Sequence, residues 1–440
     1  MCIKRHSFLF MIDQFFRLKE RNTTVKQEIV GGLTTFLTMS YIIFLHPNML
    51  AEAGMDKGAL ITITCLSSFI GTIIVGFWAN VPFALAPGLG LNSFFTYSIV
   101  LGMGVDWQTA LGIVFISGIL FLLLTISGLR EKVVDAIPLS LRLAVPAGIG
   151  MLITFVGFKN MGLIISDPYT LLQIGKMTPT LIISLVGLTL IILLEIKKVK
   201  GSILIGILII VFAGIVFGFI KTPETLISTP PSIMPVAFQL NILHALSISF
   251  IGVIFSFLFV DLFDSVGTII ACSYEAKLVK PDGKISKIDK ILGSDAISTV
   301  IGSLLGTSTI TTYIESASGI SAGARTGLAA IITGSLFLIA PFFAPIIQIV
   351  PGYATAPALI VVGIYMFRNI QNIGFSKLEE GVPAFLTIIV MPFTGSISMG
   401  LSFGFISFIM LKLIAGKHRE VSLILWIIGA LSLANLIILL

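Results

Sequence analysis

Charge is scarce in this chain. Asp, Glu, Lys and Arg make up 11% of its 440 residues, against about 25% in soluble globular proteins. A surface facing water on all sides is therefore excluded. Cysteine is scarcer still: Cys2, Cys65 and Cys272 lie far apart, which argues against a disulfide framework and a cysteine-based metal site. The histidines, His6, His46, His244 and His418, have no ligand-like neighbours, so no resident metal is expected. The basic N-terminus lacks the compact apolar stretch and small-residue cleavage site of a signal peptide.

What fills the chain instead is hydrocarbon: 56% of residues are hydrophobic and the mean hydropathy is +1.08. Apolar runs of roughly 18–20 residues recur along the whole length, enough to cross a hydrocarbon core of about 30 Å. Lipid offers the backbone no hydrogen bonds, so continuous apolar runs of this kind read as helices. The expected fold class is an all-α polytopic membrane protein. The predicted spans are 25–45, 59–79, an irregular 83–98, 109–127, 138–163, 180–195 and 201–220. The second set is 243–272, 291–305, an irregular 308–323, 326–346, 354–370 and 380–414. The last reads as two helices broken at Pro392–Gly395, and a further run at 422–440 leaves the count open by one. Thr24 followed by Gln27 fits a helix-start capping box. Ahead of it, Phe8, Ile12, Phe15 and Phe16 beside Arg17, Lys19 and Arg21 read either as a short helix on the inner membrane surface or as a solvated tail.

The net charge of +6 sits in the connections, so it reports orientation and not nucleic-acid binding. With the N-terminus cytoplasmic, Arg130–Arg142, Lys197–Lys200 and Lys277–Lys290 all fall inside. The outer connections hold only Lys57, Lys159, Lys176 and Lys221. That asymmetry supports a multi-pass protein of the cell membrane with a cytoplasmic N-terminus.

Against this background FLFVDLFDSVG (257–267) stands out. Asp261 and Asp264 lie in an apolar span with no Lys or Arg between Lys221 and Lys277. An aspartate near mid-membrane costs roughly 2.5–3.5 kcal/mol on insertion scales. Three residues apart, the two share one helix face, and mutual repulsion favours a proton on one of them. Such a pair suits a proton carrier. Asp264, nearer the cytoplasmic end, reads equally as a cap or backbone partner, whereas Asp261 is deeper and harder to explain structurally.

Two short interrupted segments, PFALAPGLGLNSFFTY and GTSTITTYIESASG, occupy the third position of each half. Each mixes an extended-looking stretch with a short helical one. An odd number of spans per half inverts the second half relative to the first. Matched, interrupted segments of this kind point to a transporter's central binding site. In the second, Thr312 and Glu315 fit a capping box, and Glu315 can equally bind a ligand at a helix start inside the membrane. In the first, Asn92 is a favoured N-cap preceded by Gly88 and Gly90, which permit close backbone approach. Thr311 and Thr312 add polar groups. Phe94, Phe95 and Tyr313 offer flat surfaces for an aromatic ring, or are ordinary packing. Acceptor carboxylates disfavour a small anion. A metal cation remains open, but a neutral, flat molecule with donors and acceptors, such as a nucleobase, suits the set better.

The stretches TTFLTMSYIIFLHP, PFALAPGLGLNSFF, FLFVDLFDSVGT and GTSTITTYIESASGISAGARTG resemble the signature segments of the adenine/guanine/hypoxanthine permease family, and most closely its bacterial hypoxanthine/guanine permeases. The resemblance runs from about Thr23 to Lys417. It implies the uracil-permease fold: 14 segments in two inverted seven-segment repeats, with short strands in segments 3 and 10. The implied division is a cytoplasmic N-terminal segment (1–24), a core domain (25–127 and 243–346) and a gate domain (128–220 and 347–440). It also implies that Asn92, Asp261 and Glu315 contact a purine, that Asp264 contributes to function, and that transport is proton-coupled without a cofactor. Phe94 and Tyr313 join the expected substrate-contacting set, and Thr312 the site-supporting set with Asp264. His46-Pro47, Ser93 and Ile310 depart from the family's usual Asn-Pro, alanine and threonine. The last two lie near the expected cavity.

The expected function is therefore proton-coupled import of purine nucleobases by alternating access, hypoxanthine and guanine first and adenine next. The partners are the base and the bilayer, with a homodimer through the gate domain. Two other classes are weighed. An anion exchanger on the same fold calls for a basic or neutral site, which the three acids oppose. A Mg²⁺-dependent prenyl transferase needs a second acidic motif and phosphate-binding basic residues beside D-L-F-D, and neither pattern is present, so the protein is not expected to be an enzyme.

Overall fold

Several helix starts are set by capping side chains where the chain leaves a connection. The computed structural model describes residues 13–129, 136–280 and 285–439. Phe8 and Ile12, and parts of the basic connections after 129 and 280, lie outside the described residues. Thr24 caps α1 (Val25–Met39) by accepting from the Gln27 amide at 3.3 Å, while its hydroxyl donates to the Gln27 side chain at 3.0 Å. The chain breaks at Ser40–Tyr41 and resumes as α2 (Ile42–Glu52). Asp56 caps α3 (Lys57–Trp78) through the Ala59 amide at 2.7 Å. Asp106 caps α5 (Trp107–Ile126) through Thr109 at 2.8 Å. Each of these acceptors satisfies an amide that the helix itself leaves unpaired.

Between α3 and α5 the expected irregular segment is present. It consists of β1 (Leu85–Pro87), then α4 (Leu89–Ser93), which continues as a π-helix over Phe94–Gly102. Pro82 and Pro87 cannot donate in a helix, which keeps the entry extended. The next elements are α6 (Leu139–Asn160), α7 (Pro179–Ile196) and α8 (Ser202–Val216). An unexpected hairpin, β2 (Ile164–Asp167) with β3 (Leu171–Ile174), interrupts the connection before α7. Asp167 closes its turn by accepting from the Thr170 and Tyr169 amides at 2.8 and 2.9 Å, and those bonds hold its carboxyl below the usual range.

The second half repeats the plan: α9 (Ile251–Glu275), α10 (Ile288–Leu305), β4 (Ile310–Thr312), α11 (Ser316–Ser321) and α12 (Gly327–Ile339). Then come α13 (Gly352–Phe367), α14 (Leu378–Thr394) and α15 (Ile397–Ile414). The break between α14 and α15 falls at Gly395, whose φ of 65° a glycine adopts without strain, and Ser396 caps the helix that follows. The run at 422–440 forms a further helix, α16 (Leu423–Leu439), packed on α15 and α9.

Among the described residues nine helices are long and apolar enough to cross a bilayer. The interrupted segments and shorter helices such as α8 and α14 fall outside that set, so length and apolarity alone do not yield fourteen segments. Packing sorts the elements into two bundles. α1–α5 pack with α9–α12, and α6–α8 with α13–α15. The strands β1 and β4 lie in the first bundle and pair antiparallel, with Leu85 opposite Thr312 and Pro87 opposite Ile310. At one end the bundles are stitched together. Asn160 of α6 and Tyr97 of the π-helix both donate to Glu52, at 3.3 and 3.1 Å, and Ser98 donates to the Gly395 carbonyl at 2.5 Å. At the other end they separate.

Candidate functional site

The separation forms a cavity of about 1080 Å³ that reaches from the paired strands to the end bearing Arg142, Lys198, Lys200 and Arg368. Pockets for small ligands commonly span roughly 300–1,000 Å³, so a bicyclic base fits with room for water. Its first-bundle wall is built by the strand pair and the helix start beside it. Gly88, Thr311, Thr312, Tyr313 and Glu315 line it, with Asp264 of α9 alongside.

Glu315 occupies the turn before α11, and no side chain caps that helix. The capping-box alternative for Thr312 and Glu315 is therefore not what forms. Thr312 belongs to β4, and its buried hydroxyl has no hydrogen-bond partner among the described residues. The Glu315 carboxylate instead accepts from the Tyr41 hydroxyl, which the break between α1 and α2 places on the cavity wall. Tyr313 donates to the Pro87 carbonyl at 2.5 Å, tying the two interrupted segments together. Asp264 lies beside Thr311, and both border Gly88. A Cβ at Gly88 would sit 3.1 Å from Thr311 Oγ1, a tight contact, and 3.5 Å from Asp264 Oδ2, so the glycine is what lets Thr311 pack against this turn.

The remaining expected residues lie behind this wall. Asn92 is fully buried one turn inside α4, whose N-cap is Gly88, so it does not cap the half-helix. Its side-chain carbonyl accepts from the Ser308 hydroxyl. Phe94 packs its ring 4.7 Å from that of Phe257, and neither lines the cavity. Asp261 is buried in α9 and is not a lining residue. The structure thus brings Asp264, Thr312, Tyr313 and Glu315 together on one surface and sets Asn92, Phe94 and Asp261 in the packing behind it.

Several further residues hold this arrangement together. Tyr41 lies in a recognisable motif, but nothing in spacing connects it with Glu315, 274 positions away. His46 bridges Thr64 and Thr307 at 2.7 and 2.8 Å, joining α2, α3 and the turn before β4 in the closed half. Glu28 is a fully buried acid with a structural task. It accepts from the Thr23 hydroxyl at 2.9 Å and from the Arg325, Thr326 and Ala329 amides at 2.8–3.2 Å, capping the start of α12. Its position in the first turn of α1 was the available signal.

Residues 26–434 match the model of the Permease family, Xan_ur_permease. The chain belongs to that family. This permease is 43% identical to the guanine/hypoxanthine permease PbuG of Bacillus subtilis, over 94% of its own length and 96% of that protein's. It is 40% identical to the adenine permease AdeP of Escherichia coli, over 97% of its length and 96% of the other's. Among solved structures, the transmembrane domain of the cyanobacterial bicarbonate transporter BicA superposes with a TM-score of 0.65 at 15% identity, covering 85% of the permease and 96% of that domain. The murine solute carrier 26 family member A9 anion transporter gives 0.60 at 11%, covering 89% and 68%. At such identity these two establish the fold alone. The permease is thus a multi-pass membrane transporter and not an enzyme.

Proposed function

We propose that this permease imports purine nucleobases, hypoxanthine and guanine foremost and adenine next, in symport with protons. The observation that carries the reading is the placement of Glu315 and Asp264 on the wall of one cavity where the two interrupted segments meet. Carboxylates accept from the ring N–H and exocyclic amino groups of a purine, and the Thr312 hydroxyl, unpartnered among the described residues, supplies a complementary donor, while Tyr41 and Tyr313 spend theirs on Glu315 and Pro87. Purine-permease relatives covering nearly the whole chain support the same cargo. An anion exchanger on this fold is disfavoured because the wall at the strand pair is acidic.

In this reading the cavity faces the cytoplasm, the side of the basic connections and of the N-terminus. Asn92 holds the turn after α10 through Ser308, and Asp261 backs the wall that Asp264 forms. The first bundle acts as the core and the second as the gate. Rocking one against the other opens the stitched end and closes the cavity. A proton and a base use the same carboxylates in turn, so no further cofactor is needed, and a homodimer through the gate leaves the core free to move.

Uptake of labelled hypoxanthine, guanine and adenine by cells lacking their own purine permeases, at two pH values, tests the reading. Saturable uptake that rises at lower external pH is expected. Chloride or sulfate flux without purine flux would overturn it, as would wild-type-like uptake by the double variant Asp261→Asn, Glu315→Gln.

A further inference from the structure

The cavity has a second wall, contributed by the other bundle, and its charge pattern carries an anomaly. The first-bundle wall is acidic, with Asp264, Glu275 and Glu315, whereas the second-bundle wall carries Arg142, Lys198, Lys200 and Arg368. Much of the remainder of that second wall is apolar, through Pro146, Val362 and Met366. Glu195, in the last turn of α7, breaks both patterns. Its carboxylate accepts from the Ser202 hydroxyl at the start of α8, and the Tyr365 side chain of α13 faces it. Glu195 and Glu315 line the same cavity, near enough for the Glu195 charge to reach Glu315, and Tyr365 is within reach of both Tyr41 and Glu315.

The result is two tyrosine–glutamate pairs on opposing walls, Tyr41–Glu315 and Tyr365–Glu195. Facing carboxylates repel, which works against closure of an empty cavity. A flat cargo with donors on opposite edges removes that repulsion by giving each carboxylate a hydrogen to accept. Purine bases have this layout: donors on the six-membered ring at one edge and a single imidazole N–H at the other.

We propose that Glu195, positioned by Ser202 and Tyr365, is the second wall's half of the purine site and accepts the imidazole N–H, while Glu315 accepts donors of the six-membered ring. The inference rests on the purine-transport reading above and adds a substrate rule to it. The cargo is a purine with a free imidazole N–H, and bases substituted at N9, nucleosides included, are refused. A base bound this way links the two bundles and favours their approach only when cargo is present.

Competition against labelled hypoxanthine uptake provides the test, with unlabelled hypoxanthine and 9-methylhypoxanthine as the two competitors. The wild-type protein should prefer hypoxanthine at least tenfold. Glu195→Ala should weaken hypoxanthine about tenfold and 9-methylhypoxanthine less than twofold, so that the preference collapses. Glu195→Gln keeps an uncharged acceptor and should retain an intermediate preference of about threefold, which covers the case where the alanine variant does not accumulate. If Glu195 only secures the α7–α8 turn, Glu195→Ala and Ser202→Ala would lower protein level alike and leave the preference at its wild-type ratio, and that result overturns the proposal. A wild-type protein that transports purines without discriminating against the 9-methyl base overturns it as well, leaving the transport reading intact. A wild-type protein inert towards purines removes both.

Discussion

The two interrupted segments meet at one strand pair yet serve it differently. On the β4 side, Thr311, Thr312, Tyr313 and Glu315 all face the cavity, and α11 ends after six residues with Ser318 and Ser321 also on the wall. On the β1 side only Gly88, Leu89 and Gly90 reach the cavity. The polar residues that follow, Asn92, Ser93 and Thr96, are fully buried, and the helix runs on as a π-helix towards the end where Glu52, Tyr97 and Asn160 close the bundles. A pseudo-symmetric pair of elements has thus been divided into one that presents chemistry and one that presents bare backbone and anchors the closed end. π-helical turns are rare and gather at functional sites.

The largest effect should come from Glu315→Gln, which removes the charge on the presenting side. Purine uptake should fall by more than tenfold, with thermal unfolding of the purified protein unchanged. A variant that transports normally, or one that fails to fold, breaks the comparison. Gly88→Val strikes the seam shared by both segments. With Thr311 Oγ1 only 3.1 Å from the added Cβ, the valine methyls must displace Thr311 or Asp264, and uptake should drop several-fold. Asn92→Ala probes the anchoring side. It removes the acceptor of a buried hydroxyl and should cost about 1–3 kcal/mol of stability, with a KM change of less than twofold in the protein that folds. A KM effect larger than the stability effect would move Asn92 from anchor to contact.

The smallest effect belongs far from the seam. Glu420 accepts from the Lys412 ammonium at 2.6 Å, and that bond holds its carboxyl below the usual range. Because the folded value is depressed, the pair's contribution is present above about pH 4.3, the ordinary glutamate value, and fades as pH falls through the lower folded value. Glu420→Gln should therefore flatten a slight acid-side loss of thermal stability and leave uptake untouched, as measured by melting at pH 3.5 and pH 7.

The sequence is most informative where one dimension suffices. Apolar length gives the long spans, and the break after Pro392 is legible because proline and a glycine that takes positive φ interrupt an otherwise continuous run. Two acids in an apolar span announced a functional region. Which acid meets the cavity was not legible. On a helix turning about 100° per residue, Asp261 and Asp264 point roughly 60° apart, enough to set one on a wall and the other against a neighbouring helix. Depth along the span favoured Asp261, but rotation of α9 within its bundle exposes Asp264. The Asn92 N-cap failed for a related reason. Gly88 already has the extended backbone a cap requires, so the helix starts four residues earlier and carries Asn92 inside it.

By itself, then, the sequence determined that the chain lives in a membrane, where several of its helices begin and break, and which scarce acids cannot be there for solvation. Those are properties of local composition and spacing, and the cost of a polar group in lipid makes them hard to misread. Tertiary structure alone decided that Glu28 caps a helix while Glu315 faces open space, that Tyr41 reaches across 274 positions to hold it, and that Glu195 waits on the opposite wall. Each of those depends on how whole bundles are rotated and set against one another, a choice made by packing over long sequence separations that no local pattern encodes.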